Sequence, residues 1–185
     1  MKKLFLLILF FGHCSDVLSQ KRKNLEIGDS VPNVKFTLLN DSVSSLYNYD
    51  DKLIILDFWA TWCGNCIVKF PMLDSMQQKY SKELQFILVN TTKTKDTKDK
   101  IINVLEKRRR ANGDPLRLLI TIRDSVFRTL FLHVAIPHYV WIKDHKVVAI
   151  TGSKYITWES ISKALIEKRY DFPVKDDAKT YGLNN

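Results

Sequence analysis

At 185 residues and a formal charge of +9, the chain has room for one domain with a proper core and not for two. It holds only three cysteines, which excludes a small scaffold stapled by scattered disulfides. Its N-terminal apolar run, Leu4 to Phe11, falls short of the ~20 residues that a spanning helix needs. Residues 1–19 instead read as an export signal. Lys2 and Lys3 form its positive region, and Val17-Leu18-Ser19 a cleavage site ahead of Gln20. The alternatives are an uncleaved anchor and a lipid attached at Cys14, although His13 suits that processing poorly. Cleavage after Ser19 leaves a mature chain whose cysteines are Cys63 and Cys66.

Residues 20–26 are basic and polar, a flexible lead into a domain over residues 27–170. Val34 to Leu39 and Val43 to Tyr47 are two strands around Asn40-Asp41-Ser42, a hairpin. The apolar, β-branched run from Leu53 predicts a strand buried on both faces. It breaks at Thr61-Trp62-Cys63-Gly64 and continues as a helix from Cys63 to about Tyr80, with Ile67, Phe70, Leu73 and Met76 inward. Pro71 predicts a kink in that helix. Leu84 to Val89 is a second buried strand, and a helix from Thr97 to Arg110 stops before Asn112-Gly113-Asp114-Pro115. Leu116 to Ile122 is a strand and Asp124 to Leu132 a short helix. Ile136 to Ile142 and Val147 to Thr151 form an antiparallel pair. Thr157 caps a last helix to Lys168, with Ile161, Leu165 and Ile166 inward. Residues 171–185 read as a loose polar tail. Alternating strands and helices ending in a strand hairpin make an α/β pattern with a mixed sheet.

The chemistry sits where the central strand gives way to its helix. Free N–H groups at a helix start favour an anion, here the Cys63 thiolate, and only a thiolate attacks a disulfide. In a C-x-x-C pair the thiol pKa falls from ~8.5 to about 7 or lower. Cys66, one turn on and shielded, is placed to resolve the mixed disulfide. A structural zinc would need about four ligands, and no second C-x-x-C or close histidine pair is present, so no metal is expected. Asp57 lies among Ile, Leu and Phe, where desolvation raises a carboxyl pKa and makes it a proton acceptor for Cys66. Trp59 is expected in the core and Trp62 as an exposed apolar lip. The Lys93–Lys100 lysines and the Lys107-Arg108-Arg109-Arg110 run read as a solvated face able to attract anionic membrane surfaces weakly.

Asp57-Phe58-Trp59-Ala60, Trp62-Cys63-Gly64-Asn65-Cys66 and Pro71, five residues past the second cysteine, closely resemble the thioredoxin family in order and spacing. The inserted helix and strand between Asn90 and Ile122, with the N-terminal hairpin, resemble its exported TlpA/ResA-type branch. The resemblance runs from Ile27 to Arg169. It implies a thioredoxin-like α/β fold: a central mixed β-sheet flanked by helices, a β-hairpin at the N-terminus and an inserted helix-strand unit. It also places Asp57 at the family's buried acid and Pro137, after Ile136, at its cis-proline loop. There the Ile136 backbone would pair with an extended substrate segment. His138 follows, either beside the sulfurs or on a surface strand. Two departures stand out. The stretch Phe86-Ile87-Leu88-Val89 lacks the lysine that thioredoxin places near the acid, and Gly64-Asn65 replaces Gly-Pro.

These residues point to an exported, periplasmic thiol-disulfide oxidoreductase with a reducing bias, its catalytic residues Cys63, Cys66 and Asp57. Trp62, Gly64, Asn65, Ile136, Pro137 and His138 are its expected substrate contacts. A disulfide oxidase or isomerase and a non-catalytic binding module are the alternatives. A peroxiredoxin-type peroxidase fits poorly, because Ala60 and Leu56 stand where its motif needs threonine or serine and proline. No flavin or nucleotide fingerprint appears, so the redox-active pair works without a cofactor and another protein supplies or accepts electrons. Disulfide-containing envelope proteins are the expected partners, and nucleic acid is not.

Overall fold

The computed structural model describes residues 24–110, 112–173 and 175. The export signal, Cys14, the start of the lead and residues 176–185 of the tail lie outside them. Among the described residues no helix is long and apolar enough to cross a membrane.

A five-stranded mixed sheet organises the chain. Its centre is β3 (Leu53–Trp59), and all seven residues are buried, as the apolar run predicts. β4 (Leu84–Thr91) lies parallel to it and is also buried throughout. β5 (Leu119–Asp124) extends the parallel half. On the other flank β6 (His138–Lys143) and β7 (Lys146–Thr151) run antiparallel, giving the order β5-β4-β3-β6-β7.

Two apolar layers cover the sheet. On one face Ile55, Trp59, Phe86, Leu88, Tyr139 and Trp141 meet Phe70, Leu73 and Met76 of α2 (Phe70–Lys79), Ile101 of α3 (Lys98–Glu106) and Ile161 of α5 (Trp158–Ile166). On the other, Leu56, Phe58, Ile87, Val89 and Val140 pack on Val31, Phe36, Leu46 and Phe127 of α4 (Val126–Leu130). Successive strand residues point to opposite faces, so each strand feeds both layers.

Several elements differ from the sequence expectation, each for a local reason. The hairpin is present, but β1 (Lys35–Thr37) and β2 (Val43–Ser45) hold three residues each. Leu46 to Tyr49 leaves the strand and closes as a 3-10 turn, burying Leu46. The single kinked helix is two helices, α1 (Gly64–Ile67) and α2, separated by Val68 and Lys69. Pro71 has no N–H to return to Ile67, so the first helix cannot run on and proline opens the second. Thr97 caps α3 as expected, its hydroxyl accepting from Lys100 N, yet the helix ends at Glu106 rather than Arg110. β5 starts at Leu119, three residues late. Thr157 caps α5 through Ser160 N, and Ile161 is buried, but Ile166 is 75 % exposed. Five residues on from Ile161 it has rotated off the buried stripe. In the stretch read as loose tail, Phe172 sits 4.8 Å from the Trp141 ring and Lys175 N donates to Ile150 O.

The outer sheet strands are covered by chain ends and loops. Leu38 bridges Thr121, and Leu39 N donates to Ile120 O, along β5. Along β7, Ser30 bridges Lys146, while Gly28 N and Val147 N exchange bonds with Val147 O and Asp29 O.

Candidate active site

β3 delivers its last residue, Trp59, into the core, where the ring meets Phe70 edge-on at 5.0 Å. The chain then turns through Ala60, Thr61 and Trp62. Cys63 N donates back to Ala60 O, and Cys63 O accepts from Cys66 N and Ile67 N. Cys63 is thus the N-cap of α1 and Cys66 stands one turn on, with Cα atoms 5.3 Å apart and the sulfurs joined in a disulfide. Cys63 is 6 % exposed and Cys66 is fully buried, so of the two Cys63 is the residue that solvent can reach. α1 is a single turn, so a Cys63 thiolate would be held by its free N–H groups more than by a long helix dipole.

A carboxylate from the inserted segment holds the turn in place. Asp96 accepts from Thr61 N at 2.8 Å, from Thr61 Oγ1 and from Asn90 Nδ2 at 2.7 Å. Burial alone would push this carboxyl up. The bonds from Thr61, Asn90 and Thr94 outweigh burial and keep it below the usual range.

Trp62 is 67 % exposed beside the disulfide, with Gly64, Asn65 and Val68 also open to solvent. The Ile136–Pro137 bond is cis. The β3–β6 register sets Phe58 opposite His138, which carries Pro137 to the end of β3 where the cysteine turn begins. Ile136 is partly buried against both apolar layers. His138 lies elsewhere than either sequence reading placed it. It shares the sheet face of Phe58, is buried, and stacks on His133 at 4.7 Å between ring centres. Alternation explains the difference: Tyr139, the next residue, is the one that faces the cysteine side.

Asp57 is wholly buried in the middle of β3. Desolvation pushes its carboxyl up to about 8, while the Tyr139 hydroxyl and the Lys69 charge pull the other way. Tyr139 is the register partner of Asp57 on β6, and its own hydroxyl is held well above the ordinary phenol range by burial and by Asp57. The two interact, yet the contact stops short of a formed hydrogen bond: among the described residues neither carboxylate oxygen nor Tyr139 Oη has a partner in bonding geometry. Lys69 stands in the break between α1 and α2 and donates from Nζ to Ile156 O at 3.1 Å. A cation from the helix break thus acts weakly on the acid where β4 offers none. Sequence reasoning missed both Lys69 and Tyr139. The signals were Lys69 three residues past Cys66 and Tyr139 two past Pro137.

A cleft of about 380 Å³ opens between α3 and β5, lined by Leu39, Ile102, Leu105 and Leu116 among others, and none of its lining residues belongs to this site. Among the described residues no three His, Cys, Asp or Glu side chains group as metal ligands would.

The sheet, the cis-proline and the disulfide over a buried acid define a thioredoxin-fold protein with a C-x-x-C centre. The thioredoxin family model matches residues 34–104. A Bacillus subtilis thioredoxin-like protein, YneN, is 28 % identical over 100 residues, covering 52 % of this chain and 59 % of its own. The thiol-disulfide oxidoreductase ResA of Bacillus thuringiensis is 28 % identical over 97 residues, 50 % of this chain and 56 % of its own. A Chlorobium tepidum structure described as a thiol:disulfide interchange protein DsbE superposes with a TM-score of 0.61 at 25 % identity, covering 76 % of this chain and 99 % of that one. The chain spans little more than half the length of the curated relatives YneN and ResA. These similarities support a thioredoxin-like protein of the TlpA/ResA type.

Proposed function

We propose that the protein is an exported thiol-disulfide oxidoreductase that reduces disulfides of envelope proteins through a Cys63/Cys66 cycle. The observation that carries the reading is the Cys63–Cys66 disulfide, one residue slightly exposed and one fully buried, on the sheet face that holds Asp57. In the reduced pair the Cys63 thiolate attacks a substrate disulfide. A bond forms from Cys63 Sγ to one substrate sulfur, the substrate S–S bond breaks, and the departing thiolate takes up a proton. Cys66 gives its proton to ionised Asp57 and attacks Cys63 Sγ, so the intramolecular disulfide forms and the substrate leaves carrying both electrons. An ordinary carboxylate near 3.8 is too weak a base for a thiol, whereas one near 8 is well matched. A dithiol on another protein then restores the pair.

Trp62, Gly64 and Asn65 form the exposed lip that a substrate would meet, and Ile136 beside cis-Pro137 offers backbone for an extended segment. Export rests on the signal-like residues 1–19. In an insulin-reduction assay with dithiothreitol, wild type should accelerate precipitation, Cys63→Ser should abolish it, and Cys66→Ser should trap a mixed disulfide. Activity surviving Cys63→Ser sinks the mechanism, and an inactive wild type leaves a binding module. Alkylation trapping in cells fixes direction: a mainly reduced pool fits a reductase, a mainly oxidised one an oxidase.

A further inference from the structure

We propose that Tyr139 is a positioning residue for proton transfer at this site: its hydroxyl donates to the Asp57 carboxylate as that group ionises and releases it as the proton returns. The inference rests on the dithiol reading above and adds a residue to it. Register pairs Asp57 directly with Tyr139 across β3 and β6, and directly opposed residues point to the same face. Both side chains are fully buried on the cysteine side of the sheet, within the apolar layer that includes Cys63 and Cys66. Their polar atoms have no partner in bonding geometry among the described residues, although leaving a buried hydroxyl or carboxyl unpaired is costly. Two such groups facing one another in an otherwise oily layer are a built pair rather than an accident of packing.

The rest of the surroundings narrows what can serve Asp57. β4 presents Leu88 as the register partner on its other side, which offers no donor. Lys69, from the break between α1 and α2, acts on Asp57 as a charge, with one of its three N–H donors on Ile156 O and none bonded to the acid. Cys66, from α1, is the group whose proton has to move. Trp59 Nε1, two residues on along β3, is also unpartnered, but Tyr139 is the neutral donor that register sets directly opposite the acid. Bringing its hydroxyl into bonding geometry would complete a bond that the carboxylate needs more than the protonated acid does. The carboxylate, once formed, would gain a charge-assisted bond in a dry site, where such bonds are strongest.

Tyr139→Phe removes the hydroxyl and keeps the ring. The Asp57 carboxyl can be followed by carbon-13 NMR in the oxidised protein, where no turnover is needed. Its titration midpoint should move upward by about one pH unit, a tenfold change. In the reduced protein the pH profile of Cys66 alkylation should move the same way. A midpoint that stays put or falls overturns the proposal. As a second probe that preserves the fold, 3-fluorotyrosine at position 139, a stronger donor, should lower the midpoint; no shift there also overturns it. Lys69→Met should raise the midpoint further when combined with Tyr139→Phe, and a double variant no different from Lys69→Met alone counts against Tyr139. These titrations stand apart from activity. Failed insulin reduction with intact shifts removes the oxidoreductase reading alone, and activity without shifts removes Tyr139.

Discussion

Asp96 grips Thr61 by both its backbone N–H and its hydroxyl, two residues ahead of Cys63. Asp96→Ala would leave the Thr61 N–H without its acceptor and the Asn90 amide with only its 3.5 Å contact to Trp59 O, at a cost of about 1–3 kcal/mol. The Asp96 carboxyl is held below its unfolded value, so its contribution is present above the unfolded pKa and is lost as pH falls through the folded one. Urea midpoints should therefore differ clearly between wild type and Asp96→Ala at pH 7 and converge in acid. A gap independent of pH would contradict this account.

Asp57 behaves in the opposite sense. Its folded value of about 8 lies above the ordinary 3.8, so the folded protein keeps a proton that the unfolded chain gives up. That contribution is full below about pH 4, declines as pH rises to about 8, and is then level. Inside the window the slope is about 1.4 kcal/mol per pH unit. Asp57→Asn should flatten this slope, so that denaturation series from pH 4 to 9 diverge for the two proteins. Parallel curves would show that the acid is not held protonated.

Neighbouring arginines should separate sharply. Arg110 is 12 % exposed and clasps the buried Asp74 through Nε at 2.8 Å and Nη2 at 3.1 Å, while Arg117 N also donates to that carboxylate. Arg109 pairs with Glu106 in solvent. Arg110→Ala should lower the urea midpoint distinctly, because it strips a buried carboxylate of its cation, and Arg109→Ala should change it little. Equal effects would mean that the run is one solvated face after all.

At the exposed turn, Asn65→Pro should make the pair more reducing. Proline stiffens the loop and removes an N–H near the sulfur that would stabilise the reduced form. Glutathione titration of both proteins measures this directly, and an unchanged or more oxidising Pro variant would refute it.

Much of the architecture could be read from residue order because single segments carry it. Leu53 to Trp59 is apolar at every position but Asp57, which only a strand buried on both faces requires. The caps at Thr97 and Thr157 are equally local. What escaped were relationships set by register and by helix breaks. A one-residue step decides whether His138 or Tyr139 meets Asp57, and nothing in β6 alone fixes that step. Lys69 acts on the acid as a charge from the break in the helix beside Pro71, a break that β3 alone does not announce. Arg110 looked like one more surface cation until the chain past α3 folded it onto Asp74, 36 residues away.

The covered flanks of the sheet bear on how the molecule behaves in a crowd. An outermost strand with open N–H and C=O groups is a template on which a second copy can add and then a third. Here Leu38 and Leu39 occupy that template along β5, and Gly28, Ser30 and Lys175 occupy parts of it along β7. Growth into ribbons would first have to peel those segments away, so a barrier to aggregation is built from the same loops that finish the fold.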